Sequence, residues 1–292
     1  MPRYTVVMPA KNCAPTVEVA LRSVLRGLPS DAEVVVWDDG STDETSEIVQ
    51  SVSDSRIKLM QSDESIGGGL ARQKVLATTD SEFVVNMDAD DVSLPWRFRL
   101  QLAEMDNSDF CFAATLRFGA GKFARPTLPL GYSDVETRAS LAFHNGLSHP
   151  TMVARRATLD RVGGYSSSPV AQDYELWLRA ASQKARFRRI GAPCLAYRIS
   201  PNQVSNQANY IQRILARPEI FQSYLALVES LLPGNPQSIR EARGIAEQLD
   251  TVKANLPRLI SLFGSRLRPY YRQILRNEPT GPFALLRAHG GS

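Results

Sequence analysis

Glu33-Val34-Val35-Val36-Trp37-Asp38-Asp39-Gly40-Ser41-Thr42-Asp43 is the stretch on which the fold turns. Three valines and a tryptophan without polar alternation read as a strand buried on both faces. The run stops at two aspartates, a glycine and a serine, which is turn chemistry. Ser41 or Thr42 is placed to cap a following helix, with Glu44 and Glu47 in its opening turns. The same unit recurs on both sides. Tyr4-Thr5-Val6-Val7-Met8-Pro9 is a strand, followed by a helix over 16–27 with Val17, Ala20, Leu21, Val24 and Leu25 on one face. Arg56–Met60 is a third strand, and Gly67-Gly68-Gly69 leads into a helix over 70–77. Glu82–Met87 is a fourth strand, ending in Asp88-Ala89-Asp90-Asp91. This alternation predicts an α/β fold with a mostly parallel sheet flanked by helices and right-handed crossovers. Ligands of such sheets sit beyond the carboxyl ends of the strands, where both acidic clusters fall.

Composition narrows the classes. The chain has 292 residues, 43% apolar and 22% charged, enough for a sizeable core without disulfides. Cys13, Cys111 and Cys194 are an odd, scattered set, and three histidines leave little for a His-rich metal centre. No run of about eighteen apolar residues occurs, and the N-terminal run is too short for a secretory leader. The expectation is a cytoplasmic protein, in solution or peripheral at the inner face of the membrane. Charge is uneven: residues 211–292 hold 11 Lys+Arg against 6 Asp+Glu, whereas residues 1–210 hold 23 against 24. Short strand candidates at 111–116, 151–154 and 195–199 surround a helix near 174–181. Residues 206–292 read as a helical, Arg-rich extension. There Arg258, Arg266, Arg268, Arg272 and Arg276 are interleaved with Leu267, Tyr270, Tyr271, Ile274 and Leu275. A basic amphipathic helix on an anionic membrane is one reading. Packing against the preceding region or a second subunit is the other. No nucleic-acid reader motif is present.

Four segments could carry chemistry, each with a plainer alternative. Asp88-Ala89-Asp90-Asp91 places three carboxylates within four residues, a spacing that suits an oxygen-ligand cation such as Mn²⁺ or Mg²⁺ beside substrate phosphates; the alternative is an acidic turn. Asp39 at a strand end could accept from a ribose or base; the alternative is helix capping. Gly67-Gly68-Gly69 with Arg72 could approach an anion, or be an ordinary loop. Asp173, opening Gln172-Asp173-Tyr174-Glu175-Leu176-Trp177, could be a general base or a cap, and Glu175 competes for either role. His149-Pro150 is read as structural or as pointing into a cleft. Trp177, one helical turn past Asp173, could stack on a sugar face or fill the core.

Together, and in this order, these segments resemble the inverting glycosyltransferases of family 2, which have the GT-A fold. The resemblance runs over roughly residues 4–205. It includes Val6–Asn12, Asp38–Asp43, Asn86–Asp91, Val162-Gly163-Gly164-Tyr165, Gln172–Trp177 and Tyr197-Arg198. It implies a catalytic domain over 1–205, with a nucleotide-sugar half at 1–110 and an acceptor half at 111–205. It also implies transfer of a sugar from a nucleotide diphosphate donor, a UDP-sugar, to a saccharide, glycolipid or other hydroxyl acceptor. Asp39 would contact the base, lined by Pro9, Ala10 and Asn12, with Arg72 near the base or diphosphate. Asp88 and Ala89 would lie on the ribose or sugar side, and Asp90 would bind Mn²⁺ or Mg²⁺. Asp173 would be the base that inverts the anomeric centre in one step. His149, Gly164, Tyr165 and Trp177 would face the acceptor.

The chain departs from the family pattern at three places. Gln172 stands where an acid is common, and Ala10 where a threonine is common. Asn202 or Gln203, rather than a histidine, follows the Tyr-Arg pair and would contact phosphate. The competing readings are a nucleotidyltransferase on a similar fold and a non-catalytic sugar-nucleotide-binding or assembly subunit.

Overall fold

The computed structural model describes residues 1–119, 122–167, 170–200, 217–232 and 245–277. Tyr4–Ala10 (β1), Val17–Leu25 (α1), Ala32–Asp39 (β2), Thr45–Ser51 (α2), Ile57–Ser62 (β3), Gly68–Thr78 (α3) and Phe83–Asn86 (β4) follow one another as the sequence alternation requires. β1 lies between β2 and β4, parallel to both, and β3 extends the sheet beyond β2. Both faces of these strands are covered, which is why their apolar runs do not alternate. Val6, Met8, Val34 and Val36 face one way and join Val17, Leu21, Val24 and Val49 in one core cluster. Val7, Val35 and Trp37 face the other way and join Val75, Leu76 and Trp177.

The chain leaves β1 towards β2 and returns from β3 to the opposite side of β1. The carboxyl ends of β1 and β4 therefore flank a topological switch point. Pro9-Ala10 ends one strand there and the acidic run 88–91 follows the other.

Beyond β4 the sheet becomes mixed. Val92–Ser93 (β5), Arg97–Leu102 (α4), Phe110–Gly119 (β6), Lys122–Pro126 (β7), Asp134–Leu141 (α5), the 3₁₀ turn His149–Thr151, Val153–Arg155 (β8), Arg156–Arg161 (α6), Gln172–Ser182 (α7) and Phe187–Arg198 (β9) complete it. The nine-stranded order is β3-β2-β1-β4-β8-β6-β9-β5, with β7 on β6. β8 runs antiparallel to both β4 and β6, and β9 runs parallel to β6. The parallel expectation thus holds in the first half, where each strand is joined to the next through a helix. In the second half the connections reverse strand direction.

Pro218–Leu231 (α8), Ile245–Ala254 (α9), Leu256–Ser261 (α10) and Arg268–Asn277 (α11) are helical, as expected of the extension. Ile220, Tyr224, Leu225, Val228, Phe263 and Tyr271 belong to the same core cluster as Trp177 and Val35. The Tyr224 hydroxyl donates to the Ala142 carbonyl at 3.2 Å, and the Gly264 amide donates to Glu136 Oε1 at 2.9 Å. The expected division near residue 205 lies outside the described residues. Arg156 and Arg189 are buried tethers. Arg156 donates to the Leu76 carbonyl at 2.8 Å, and Arg189 donates to the carbonyls of Leu128 and Leu130. Each satisfies carbonyls that the adjoining turns leave without partners.

Candidate active site

The residues expected to seat the donor lie on the ends of β1 and β2. Asn12, at φ 51°, accepts from the Thr42 amide at 2.8 Å through Oδ1, and its own amide donates to Ser41 Oγ at 3.0 Å. The two strand-end loops are thereby locked together. Asp38 accepts from the Ser41 amide and from Ser46 Oγ, so it braces the turn. Asp43, rather than Ser41 or Thr42, receives the Thr45 amide and hydroxyl at the start of α2. Asp39 is buried and accepts three hydrogen bonds: Ile66 N donates to Oδ1 at 2.8 Å, and Gly67 N and Ser65 Oγ donate to Oδ2 at 2.9 and 2.7 Å. This carboxylate therefore fastens the glycine loop beneath the sheet edge. A lone pair on Oδ1 is left for a base N–H. Pro9 and the buried Ala10 pair in register with Trp37 and Asp38 beside it.

The acidic run lies across the switch point. Arg72, buried on α3, pairs with Asp88 at 2.5 Å and donates to the Gly68 carbonyl at 3.0 Å. Its Nε is buried without a partner. Ala89 is buried between the carboxylates. Burial, and then Asp88, push the Asp90 carboxyl above its usual range, while Arg198 opposes the shift. No other residue donates to the Asp90 carboxylate among the described residues. Asp91 is pushed up to about 9, by burial first and then by Asp88. It accepts from the Arg198 amide at 2.8 Å, and its Oδ2 is buried without a partner. Behind the cluster Arg97 is fully buried, donating to the carbonyls of Asn86 and Pro150 at 2.7 and 2.8 Å.

Asp90 pressed beside Asp88, with no donor from another described residue, fits an oxygen-ligand divalent cation. Among the described residues no group of three or more His, Cys, Asp or Glu could form a complete protein cage. The protein could supply one or two carboxylates, with diphosphate oxygens and water making up the rest.

The residues expected to face the acceptor meet α3 at Gln73. Gly163 and Gly164 both have positive φ, at 85° and 62°, and turn the chain so that the Tyr165 amide donates to Gln73 Oε1 at 2.8 Å. The Tyr165 hydroxyl accepts from Asn86 Nδ2 at 2.8 Å and lies 2.7 Å from His149 Nε2. Burial and the Arg72 charge hold the His149 pKa well below its usual value, and the hydroxyl, which already accepts from Asn86, can donate a hydrogen bond to the neutral ring. Asp173 is the second residue of α7, whose flanking residue Ala171 sits in the left-handed region at φ 50°. Its pKa is raised, by burial first; the bond from Asn145, the Tyr174 amide and the Arg72 charge oppose that rise. Glu175 is engaged elsewhere, paired with Arg179 at 2.8 Å and accepting from Ser223 of α8. Trp177 is fully buried, edge-on to Phe112 at 4.9 Å and Phe110 at 5.7 Å, so it fills the core and leaves no face for a sugar.

Arg72 is the shared neighbour of the two sides. It is ion-paired with Asp88, and its charge is felt by Asp173, His149 and Tyr165. Sequence reading did not single out Asn145, Gln73 or Arg97. Asn145, on the exposed loop after α5, donates to Asp173 Oδ2 at 3.0 Å. Only tertiary structure brings these residues to the site. Asn202 and Gln203 lie outside the described residues.

A family model described as glycosyl transferase family 2 matches residues 5–163. The succinoglycan biosynthesis protein ExoU of Rhizobium meliloti is 31% identical over 218 residues, covering 68% of this chain and 63% of that protein. The chain thus spans less than two thirds of that relative's length. The Escherichia coli UDP-Glc:alpha-D-GlcNAc-diphosphoundecaprenol beta-1,3-glucosyltransferase WfaP is 24% identical, covering 76% of this chain and 87% of the relative. Among solved structures, S. aureus TarS 1–349 in complex with UDP-GlcNAc superposes with a TM-score of 0.63 at 20% identity, over 99% of this chain and 88% of that one. That likeness gives the GT-A fold. With the family model covering more than half of its residues, the chain belongs to glycosyl transferase family 2.

Proposed function

We propose that this transferase moves a sugar from a UDP-sugar to an acceptor hydroxyl with inversion, as one step in building a polysaccharide on a lipid-linked acceptor. The observation that carries the reading is the convergence on Arg72 of the acidic run and the Asp173 carboxylate. One side supplies charge for a diphosphate leaving group, and the other supplies a base. The pairing of a UDP-sugar with a diphosphoundecaprenol acceptor in the name of WfaP supports the substrate class, and succinoglycan assembly by ExoU supports the polymer setting.

In this reading Asp39 and the 65–67 loop seat the base, and the Asn12–Thr42 lock fixes the ribose end. Arg72 releases Asp88 in part to meet the diphosphate, as a guanidinium matches phosphate oxygens in a way that an ammonium does not. A divalent Mn²⁺ or Mg²⁺ held by Asp90, with Asp88 beside it, would offset charge on the departing diphosphate. Asp173 takes the acceptor proton. Its raised pKa makes it a stronger base than an exposed aspartate, and Asn145 holds Oδ2 so that Oδ1 is presented. A single base opposite the leaving group gives one in-line displacement.

Incubation with UDP-sugars, with and without Mn²⁺, tests this. UDP release and a product of inverted anomeric configuration by NMR are expected. Pyrophosphate release would favour the nucleotidyltransferase reading, and a retained configuration would remove Asp173 from the role of base.

A further inference from the structure

The segment 254–277 contains five arginines and neither aspartate nor glutamate. Its apolar side is already spent. Leu259, Ile260, Phe263, Leu267 and Tyr271 are buried, and the Phe263 and Tyr271 rings stack at 3.8 Å and 7°. Arg258, Arg266 and Arg272 are left exposed, and the ring of Tyr270 is half-exposed. Arg266 lies near enough to Glu136 to help lower its pKa, but none of the three forms an ion pair with a described acid. Interior packing fixes where this surface points. Tyr271 lies against Phe143 at 5.2 Å and His144 at 5.8 Å. The next residue, Asn145, donates to Asp173. The basic face is thus one packed layer from the acceptor side of the site.

We propose that Arg258, Arg266, Tyr270 and Arg272 form a docking surface for an anionic lipid bilayer. Three exposed guanidiniums, none ion-paired with a described acid, match anionic headgroups, and a tyrosine ring suits the interfacial layer. No helix among the described residues is long and apolar enough to cross a membrane, so contact would be peripheral. The surface deepens the transferase reading, on which it rests for the lipid-linked acceptor. Docking here would hold the Asn145 loop near the bilayer, where such an acceptor is presented.

The test is co-sedimentation of the full chain with vesicles of phosphatidylglycerol in phosphatidylcholine, against pure phosphatidylcholine, across a salt series. Binding is expected only to the anionic vesicles and is expected to fall with salt. The triple variant Arg258→Ser, Arg266→Ser, Arg272→Ser is expected to bind on the order of 100-fold more weakly, about five-fold per arginine. Its thermal stabilisation by UDP-sugar is expected to match wild type, which separates a docking defect from misfolding. Equal binding to neutral vesicles, wild-type binding by the triple variant, or salt-sensitive self-association without vesicle binding would each overturn the proposal. Sedimentation needs no turnover, so its failure leaves the transferase reading standing.

Discussion

At the residue scale the site is a set of carboxylates given different tasks by their surroundings. Asp39 accepts from three donors, Asp88 is paired with Arg72, and Asp173 takes the Asn145 side chain on Oδ2. A base must be ionised to act, and the Asp173 pKa is raised above its ordinary value by burial. The kcat/KM profile is therefore expected to fall on the acid side with a midpoint above the usual aspartate range. Asp173→Asn should cut kcat by about 10²–10⁴-fold while UDP-sugar binding, read by thermal shift, is retained. Asn145→Ala removes a bond that stabilises the ionised carboxylate, so the acid limb should move to higher pH. A merely structural asparagine would leave that midpoint in place. Asp39, Asp88, Asp90 and Asp173 were legible because each follows a strand or opens a helix within a recognisable run. Asn145 was not. It lies 28 residues before Asp173 on a loop without periodicity, and only the packing of α5 brings it within 3.0 Å.

At the element scale the turn after α6 shapes the side of the site expected to take the acceptor. Gly163 and Gly164 differ instructively. A Cβ on Gly163 would find only Arg179 Nη1 at 3.6 Å, whereas one on Gly164 would strike the Gln73 carboxamide. Both residues have positive φ, so alanine at either costs about 1 kcal/mol in backbone strain. Gly164→Ala should cost more, roughly 2–3 kcal/mol, because Gln73 must abandon the Tyr165 amide. Denaturant melts of both variants measure the difference, and only Gly164→Ala should also lower kcat. The glycine pair was visible in the sequence, but its partner Gln73 was not, since the face of α3 that meets the turn is a tertiary fact. For the same reason the parallel half of the sheet was legible and the mixed half was not. β1, β2 and β4 are marked by apolar runs between helices, while β5 has two residues and β8 three, too short to carry a period.

At the scale of the whole molecule the question is whether the basic extension folds with the rest. Its charge sets it apart, but its apolar residues do not. Tyr271 is fully buried among Phe143, Phe263 and Tyr132, and Tyr224 reaches the Ala142 carbonyl, so α8 and α11 grip the segment following α5 from two directions. That segment ends at Asn145, beside Asp173. If the helices formed an independent domain, emptying the Tyr271 site would melt them alone and leave the transferase site intact. A shared core demands the opposite. Tyr271→Ala should lower global stability by about 3–5 kcal/mol, the cost of deleting a large buried ring. Unfolding should remain one cooperative transition by near-UV dichroism and by loss of UDP-sugar binding. The acid limb of kcat/KM should shift upward as it does for Asn145→Ala, because a slackened loop no longer holds Asn145 on the carboxylate. Two resolved transitions, with catalysis surviving the first, would show that the extension stands apart from the site.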